Sequence, residues 1–110
     1  MPGGARERRC PAYPLDEVRA AFAVGHFEVT GRVRRHLERR GWGFDTVRGC
    51  VCGLSPDDFY KSQAHRSEPG VWLDIYKPLV NGERLYVKYM PLGDDERFIV
   101  LSFCVDGELH

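Results

Sequence analysis

Apolar residues in the first half of the chain recur with helical spacing. Between residues 15 and 22 they fall at i, i+3, i+6 and i+7, which predicts an amphipathic helix that ends at Gly25. The next few residues alternate between polar and apolar, and Phe27 and Val29 are expected to face inward from a short strand. A helix followed by a short strand therefore opens the predicted fold.

Two further helices are predicted before residue 53. Thr30 is a preferred N-cap residue, and the helix that it begins ends at Gly41. This helix carries five arginines, which either form a solvated face or contact RNA or an acidic partner. Asp45 is expected to cap a third helix over residues 46–52.

Residues 53–62 separate the helical half from the strands. Ser55 is a natural N-cap, Pro56 suits the first helical position, and the two aspartates that follow favour a helix N-terminus electrostatically. The pattern predicts a helix of one to two turns, with Lys61 near its end. Lys61 would then lie close to the start of the sheet.

The second half of the chain changes to the period of two that strands show. Alternation predicts one strand over residues 71–77 and a second over residues 84–89, with a tight turn at Asn81-Gly82 between them. The continuous apolar run at residues 98–103 suits a central strand. The predicted fold class is α+β, with N-terminal helices packed on a small antiparallel sheet to which the early strand is added.

Composition and charge are those of a globular protein with one core. Of the 110 residues 43% are hydrophobic and 29% are charged, and the formal net charge of zero argues against non-specific attraction to nucleic acid. No apolar run has the length of a membrane span and no apolar block resembles a signal peptide, so we expect a cytoplasmic protein. Residues 1–13, rich in Gly, Pro and Arg, are predicted to form a flexible tail before a single domain over residues 14–110.

The motifs of several common site classes are absent from the sequence. The four cysteines form no C-x-x-C pair, which predicts reduced thiols and no metal site. The sequence also lacks a P-loop, a dinucleotide-binding glycine pattern, Gly-x-Ser-x-Gly and His-Glu-x-x-His. We therefore predict no cofactor.

Arg84, Tyr86 and Lys88 fall on one face of the second predicted strand and form a cationic strip with a phenol in its middle. Such a strand face is either simply hydrated or binds phosphate, and Lys61 could complete a phosphate-binding surface. Cleavage of RNA by its own 2′-hydroxyl fits these residue types. It requires a base, a cation for the transition state and an acid for the leaving 5′-oxygen, but no metal.

Three spaced motifs follow one another in this region. They are Gly53-Leu54-Ser55-x-x-Asp58-Phe59-Tyr60-Lys61-Ser62, Trp72-x-Asp74-x-Tyr76-Lys77-Pro78 and Leu85-Tyr86-Val87-Lys88. Together they resemble the MqsR family of toxin–antitoxin ribonucleases. The resemblance implies a RelE-like toxin fold and cleavage of messenger RNA without the ribosome. It also implies two partners, namely messenger RNA and a cognate antitoxin that neutralises the toxin, expected to carry a DNA-binding helix-turn-helix.

Carried over position by position, the resemblance makes Lys61 and Tyr86 candidate catalytic residues. The candidate RNA contacts are the aromatic and cationic residues around them: Tyr60, Lys77, Arg84 and Lys88. The sequence thus favours a toxin endoribonuclease that cleaves single-stranded messenger RNA through 2′-hydroxyl attack.

Two positions depart from the family pattern. Leu73 stands where the family carries a glutamine, and Cys104 stands where it carries a lysine. The activity is then reduced, or the protein is a catalytically impaired module that binds RNA or antitoxin, or other residues substitute. His65 and Arg66 follow Lys61 closely, and Arg84 shares a face with Tyr86. Of these, His65 is the candidate catalytic substitute, because an imidazole can act as a general base or acid near neutrality. A structural or regulatory domain unrelated to RNA is the remaining alternative.

Overall fold

The computed structural model describes residues 6–108. Within these residues the elements are, in chain order, β1 (Glu7–Arg8), α1 (Leu15–Ala23), β2 (Phe27–Val29), α2 (Gly31–Arg40), α3 (Phe44–Cys52), a 3-10 turn (Pro56–Asp58), β3 (Phe59–Ala64), β4 (Trp72–Tyr76), β5 (Leu79–Val80), β6 (Glu83–Leu92) and β7 (Arg97–Val105). The α+β class is confirmed. None of the helices in this part of the chain is long and apolar enough to cross a lipid bilayer.

The sheet is larger than predicted, and it is mixed. Its strands lie in the order β1-β3-β4-β6-β7-β2, and β5 pairs with β6 beside this path. The early strand β2 joins the sheet as expected, but it runs parallel to β7, while the other described pairs are antiparallel. The strands β4 and β6, predicted from alternation, and β7, predicted from its apolar run, are confirmed. The prediction missed the short strands β1 and β5 and the longer strand β3.

Among the described residues, an apolar core contains buried side chains of the three helices and of strands β2, β4, β6 and β7. Phe22 of α1 is fully buried and stacks on Phe27 of β2 with ring centroids 4.5 Å apart. Its ring also lies 6.1 Å from that of Tyr89 on β6 and 6.2 Å from that of Phe98 on β7. These contacts tie the first helix to three strands, because aromatic rings combine large buried areas with favourable edge and offset geometries.

The second helix begins and ends as predicted, whereas the third begins two residues earlier than expected. The Thr30 hydroxyl accepts a hydrogen bond from the Val33 N–H at 3.2 Å, and Gly41 ends α2 with φ 71°. The N-cap of α3 is Gly43 rather than Asp45. Its N–H donates to Thr46 Oγ1 at 3.3 Å, while the Asp45 carboxylate pairs with Arg48 at 3.1 Å instead of capping the helix.

The predicted helix that was to end near Lys61 is only a 3-10 turn. Ser55 caps it as expected, since its hydroxyl accepts from the Asp57 N–H at 3.1 Å, and the Asp58 carboxylate accepts from the Ser55 N–H at 2.8 Å. Phe59 is already extended and begins β3. The placement of Lys61 on a helix was therefore wrong. Pairing with β4 satisfies the backbone hydrogen-bonding groups of this segment instead.

Residues 6–13 of the predicted flexible tail form specific contacts with the sheet. Residues 1–5 lie outside the described residues, but Glu7 and Arg8 pair with β3. The buried Asp74 carboxylate accepts hydrogen bonds from the N–H groups of Ala12 at 2.9 Å and Tyr13 at 3.1 Å. A buried carboxylate requires such donors, and the N-terminal segment provides them.

Candidate functional site

The sheet face opposite the core brings together cationic residues of two strands, β3 and β6. Lys61 on β3 pairs with Ile75 on β4, and Ile75 pairs with Lys88 on β6. Residues that pair across strands share a face, so both lysines flank Ile75. Ile75 is fully buried although it lies outside the main core, and lysine stems can cover such apolar surface. Tyr86 shares this face, two residues before Lys88.

A register shift in β3 adds an exposed aromatic ring to the same face. The pairing of β3 with β4 shifts between Phe59 and Lys61, so Tyr60 lies at the irregularity. The Lys77 ammonium is 3.9 Å from the centroid of the Tyr60 ring and 5.9 Å from that of Tyr86. The Lys61 ammonium is 5.1 Å from the Tyr60 ring. Two phenols and two ammonium groups therefore form one cluster.

Arg84 and Lys77 border this cluster and are held by protein groups. Arg84 Nη1 donates a hydrogen bond to the Lys77 carbonyl at 3.0 Å. The Lys77 ammonium also pairs with the Asp106 carboxylate at 3.4 Å. The four residues predicted as RNA contacts thus lie in one neighbourhood with Lys61 and Tyr86, and their roles stay a prediction: Tyr60, Lys77, Arg84 and Lys88.

Lys61 is ionised and paired with a carboxylate. Its ammonium lies 2.7 Å from Glu7 Oε2, and this hydrogen bond raises the pKa of Lys61 above its usual range. The same bond lowers the pKa of Glu7. Glu7 reaches Lys61 because β1 pairs Glu7 with Gln63, two residues beyond Lys61 on the same face. The pair is therefore charged on both sides at neutral pH.

The other two groups of the site have shifted pKa values as well. Burial raises the pKa of Tyr86, so its phenol keeps its proton and can donate it. Burial lowers the pKa of Lys88, and the nearby cations Arg32 and Lys61 lower it further. Cations that repel one another in this way bind an anion favourably, because an anion relieves their mutual repulsion.

A comparison with known families identifies the family of the chain. Residues 10–104 match the sequence model of a family described as "Motility quorum-sensing regulator, toxin of MqsA". The chain belongs to this family of MqsR toxins. A relative from Escherichia coli (strain K12), named "mRNA interferase toxin MqsR", is 29% identical over 97 residues, which are 88% of this chain and 96% of the relative. The resemblance inferred from the three motifs is thereby confirmed.

Two residues that depart from the MqsR pattern lie beside the site and bring no charge to it. Leu73 pairs with Gln63 and lines a cavity of about 360 Å³ together with Lys88. Cys104 pairs with Tyr86, is 3% exposed, and burial raises its pKa to about 11. Cys104 is therefore a neutral thiol near pH 7.

His65 lies in the loop after β3 and lines the same cavity, but its ring accepts hydrogen bonds from the backbone of that loop. Its Nδ1 accepts hydrogen bonds from the N–H groups of Ser67 at 3.1 Å and Glu68 at 3.0 Å. Protonation of Nδ1 would break both bonds, so this nitrogen is poorly placed to accept a proton from a substrate. The catalytic role of His65 stays a prediction, and the geometry gives it a clear role in ordering the loop.

Two polar residues of this face were not singled out by the sequence. Gln63 on β3 pairs with Leu73 on the neighbouring strand β4. Glu7 contacts Lys61 across 54 positions of the chain. Neither belongs to a recognisable motif, and only the strand register reveals that they are neighbours of the site.

Proposed function

We propose that this protein is the toxin of a toxin–antitoxin pair and cleaves single-stranded messenger RNA. The observation that carries the proposal is the convergence of Lys61, Tyr86 and Lys88 on one face of the sheet, within a chain of the MqsR family. An mRNA substrate would place the protein in the cytoplasm. A RelE-like fold is part of the same proposal.

The groups of this face suit attack by the RNA 2′-hydroxyl on the adjacent phosphorus. The Lys61 ammonium stabilises the negative charge that develops on the phosphorane-like transition state, since its raised pKa keeps it protonated. The Tyr86 phenol donates its proton to the leaving 5′-oxygen. The products are a 2′,3′-cyclic phosphate and a free 5′-hydroxyl, and no metal takes part in the scheme.

The surrounding residues hold the RNA in this scheme. Lys88 binds a phosphate next to the scissile one, where the cations that lower its pKa attract the RNA backbone. Lys77 and Arg84 bind the backbone along the same face. The Tyr60 ring is 41% exposed and stacks on a base, a contact worth about 1–3 kcal/mol for single-stranded nucleic acids.

The family description names the antitoxin MqsA. We expect a cognate antitoxin that carries a DNA-binding helix-turn-helix and neutralises this protein. Co-expression with the neighbouring antitoxin gene should restore growth to cells that make the toxin. Co-purification of the two proteins, measured by size-exclusion chromatography, checks the direct contact.

A second candidate function is binding of RNA or antitoxin without cleavage. It is favoured by Leu73 and Cys104, the two uncharged residues at positions where the family carries a glutamine and a lysine. The two functions differ in one measurement, because both predict that the protein binds RNA but only the enzyme produces fragments.

The test is incubation of the purified protein with an end-labelled messenger in EDTA. Fragments that end in 2′,3′-cyclic phosphate are expected, and Lys61→Ala should slow their formation by at least about a hundredfold. Tyr86→Phe should slow it by about a hundredfold, because the proton for the 5′-oxygen is lost. Intact RNA at micromolar protein would exclude the enzyme and leave the binding function.

Tyr89→Phe is the matched control for Tyr86→Phe. It removes the same hydroxyl from the same strand three residues away, but Tyr89 is fully buried on the helix side of the sheet. Its rate should stay within about threefold of the wild type. Equal losses in the two variants would mean that the Tyr86 hydroxyl acts through folding rather than through proton transfer.

A further inference from the structure

We propose that the Glu7 carboxylate is the general base that takes the proton from the attacking 2′-hydroxyl. The inference rests on the proposed ribonuclease function and assigns a catalytic residue at its site. Glu7 precedes residue 10, where the family match begins. Its position beside Lys61 comes from the short strand β1 rather than from any of the three motifs.

Several specific contacts hold β1 beside the site. Glu7 and Arg8 pair with Gln63 and Ser62, and the Ala64 N–H donates to the Arg6 carbonyl at 2.8 Å. The Arg8 guanidinium lies 4.2 Å from the centroid of the Trp72 ring on the helix side of the sheet. Because side chains alternate along a strand, this contact directs Glu7 to the opposite side, where Lys61 lies.

The segment that follows β1 is anchored as well. The Tyr13 hydroxyl donates to the Trp72 carbonyl at 2.7 Å and accepts from the Trp72 N–H at 3.0 Å. The Asp74 carboxylate binds the N–H groups of Ala12 and Tyr13. Glu7 is thus held at a defined position relative to β4, as a catalytic group must be.

Among residues 6–108, the other proton acceptors near Lys61 are less suitable. The Lys61 ammonium is protonated, and burial keeps the proton on the Tyr86 phenol and on the Cys104 thiol. His65 Nδ1 accepts two backbone hydrogen bonds. Asp106 is another carboxylate near Tyr86, and it pairs with Lys77 rather than with Lys61.

Glu7 combines ionisation with access to substrate. Its side chain is 54% exposed, and it lines the cavity of about 360 Å³ that Leu73 and Lys88 also line. The Lys61 ammonium at 2.7 Å stabilises the carboxylate before the reaction and the phosphorane charge during it. A carboxylate and a cation on one side of the scissile phosphate are the parts that 2′-hydroxyl attack requires.

The step balances with the groups present. The 2′-oxygen forms a bond to phosphorus while its proton moves to a Glu7 carboxylate oxygen. The bond between phosphorus and the 5′-oxygen breaks, and the Tyr86 phenol gives its proton to that oxygen. Proton exchange with water then restores the Glu7 carboxylate and the Tyr86 phenol.

The test compares Glu7→Gln with Glu28→Gln in the same cleavage assay. Glu28 is the matched control, because it is 55% exposed and pairs with Arg97 at 3.2 Å at the opposite edge of the sheet. Glu7→Gln should lower kcat by at least about a hundredfold, the usual contribution of a general base. Glu28→Gln should stay within about twofold. RNA affinity, measured by fluorescence anisotropy, should not weaken in Glu7→Gln.

Glu7→Asp and Asp106→Asn complete the test. Glu7→Asp keeps the carboxylate, so its kcat should be at least about tenfold higher than that of Glu7→Gln. A purely structural role of Glu7 predicts no such recovery. An unchanged or faster Glu7→Gln enzyme overturns the inference and identifies Glu7 as a group that restrains Lys61. A loss in Asp106→Asn but not in Glu7→Gln assigns the base to Asp106 instead. If the wild-type protein cleaves no RNA, the proposed function fails, and the two failures are thereby distinguished.

Discussion

Strand β6 presents two surfaces of different character on alternate residues. Leu85, Val87 and Tyr89 are almost completely buried among the helices, whereas Tyr86 and Lys88 lie half-buried on the other side. Both faces bury apolar atoms, as the fully buried Ile75 on the outer face shows. The difference lies in the polar groups. The helix side holds stacked rings, and the outer side holds cations, two of which pair with carboxylates.

The comparison suggests that stability resides mainly on the helix side and function on the outer side. Residues that differ by one position on β6 should therefore respond differently to substitution. Substitutions on the two faces of the sheet test this difference.

Phe22→Ala should have the largest effect on stability. It removes a fully buried ring from contact with the rings of Phe27, Tyr89 and Phe98, so the free energy of unfolding should fall by about 3–5 kcal/mol. Urea unfolding followed by circular dichroism measures this change. At a temperature where the variant remains folded, its cleavage rate should be close to that of the wild type. Lost cleavage in the folded variant would contradict the separation of the two faces.

Asp74→Ala should cost about 2–3 kcal/mol of stability and should also slow cleavage. The substitution leaves the N–H groups of Ala12 and Tyr13 without their buried acceptor, and this loosens the segment that carries Glu7. Asp45→Ala is the control, because the Asp45 side chain is 92% exposed and its removal should change stability by less than about 0.5 kcal/mol. A stable Asp74→Ala protein with unchanged activity would show that β1 does not depend on this anchor.

Alkaline pH should destabilise the protein through both faces. Burial raises the pKa of Cys104 on the outer face to about 11, and it raises the pKa of Tyr76 on the helix side to about 12. The fold favours the protonated forms, so their contribution is complete below the unfolded pKa values and is lost as pH rises through the folded ones. Thermal unfolding should show a falling Tm from about pH 9 to pH 12. Cys104→Ala should make the decline between pH 9 and pH 11 less steep, and an identical decline would argue against a contribution from this thiol.

Leu73→Gln should produce the smallest change, and it should raise activity. The new amide would lie on the outer face beside Lys88 and the cavity, where one hydrogen bond to the RNA would raise kcat/KM by up to about tenfold. Leu79→Gln is the control, because Leu79 is 60% exposed on β5 and does not line that cavity. A rate that stays at the wild-type value would indicate that Gln63, the cross-strand neighbour of Leu73, already supplies the amide.

The sequence predicted the parts of the fold that depend on local patterns. The cap at Thr30 and the left-handed end at Gly41 follow from neighbouring residues, and the alternation in β6 placed Tyr86 and Lys88 on one face. Local sequence patterns gave the wrong structure for Lys61, which lies on strand β3 and not at the end of a helix. Ser55 and Pro56 correctly predict the start of a helix. This helix ends after three residues, because the chain then pairs with β4.

The sequence by itself determined the family, the α+β class and the side chains available for chemistry. The tertiary structure decided which of those side chains are neighbours. Lys61 and Glu7 are 54 positions apart, and their 2.7 Å contact follows from the register of β1 on β3. Register depends on long-range pairing and on anchors such as the buried Asp74, which no local period records. For this reason the segment that resembled a tail proved to hold the carboxylate nearest to Lys61.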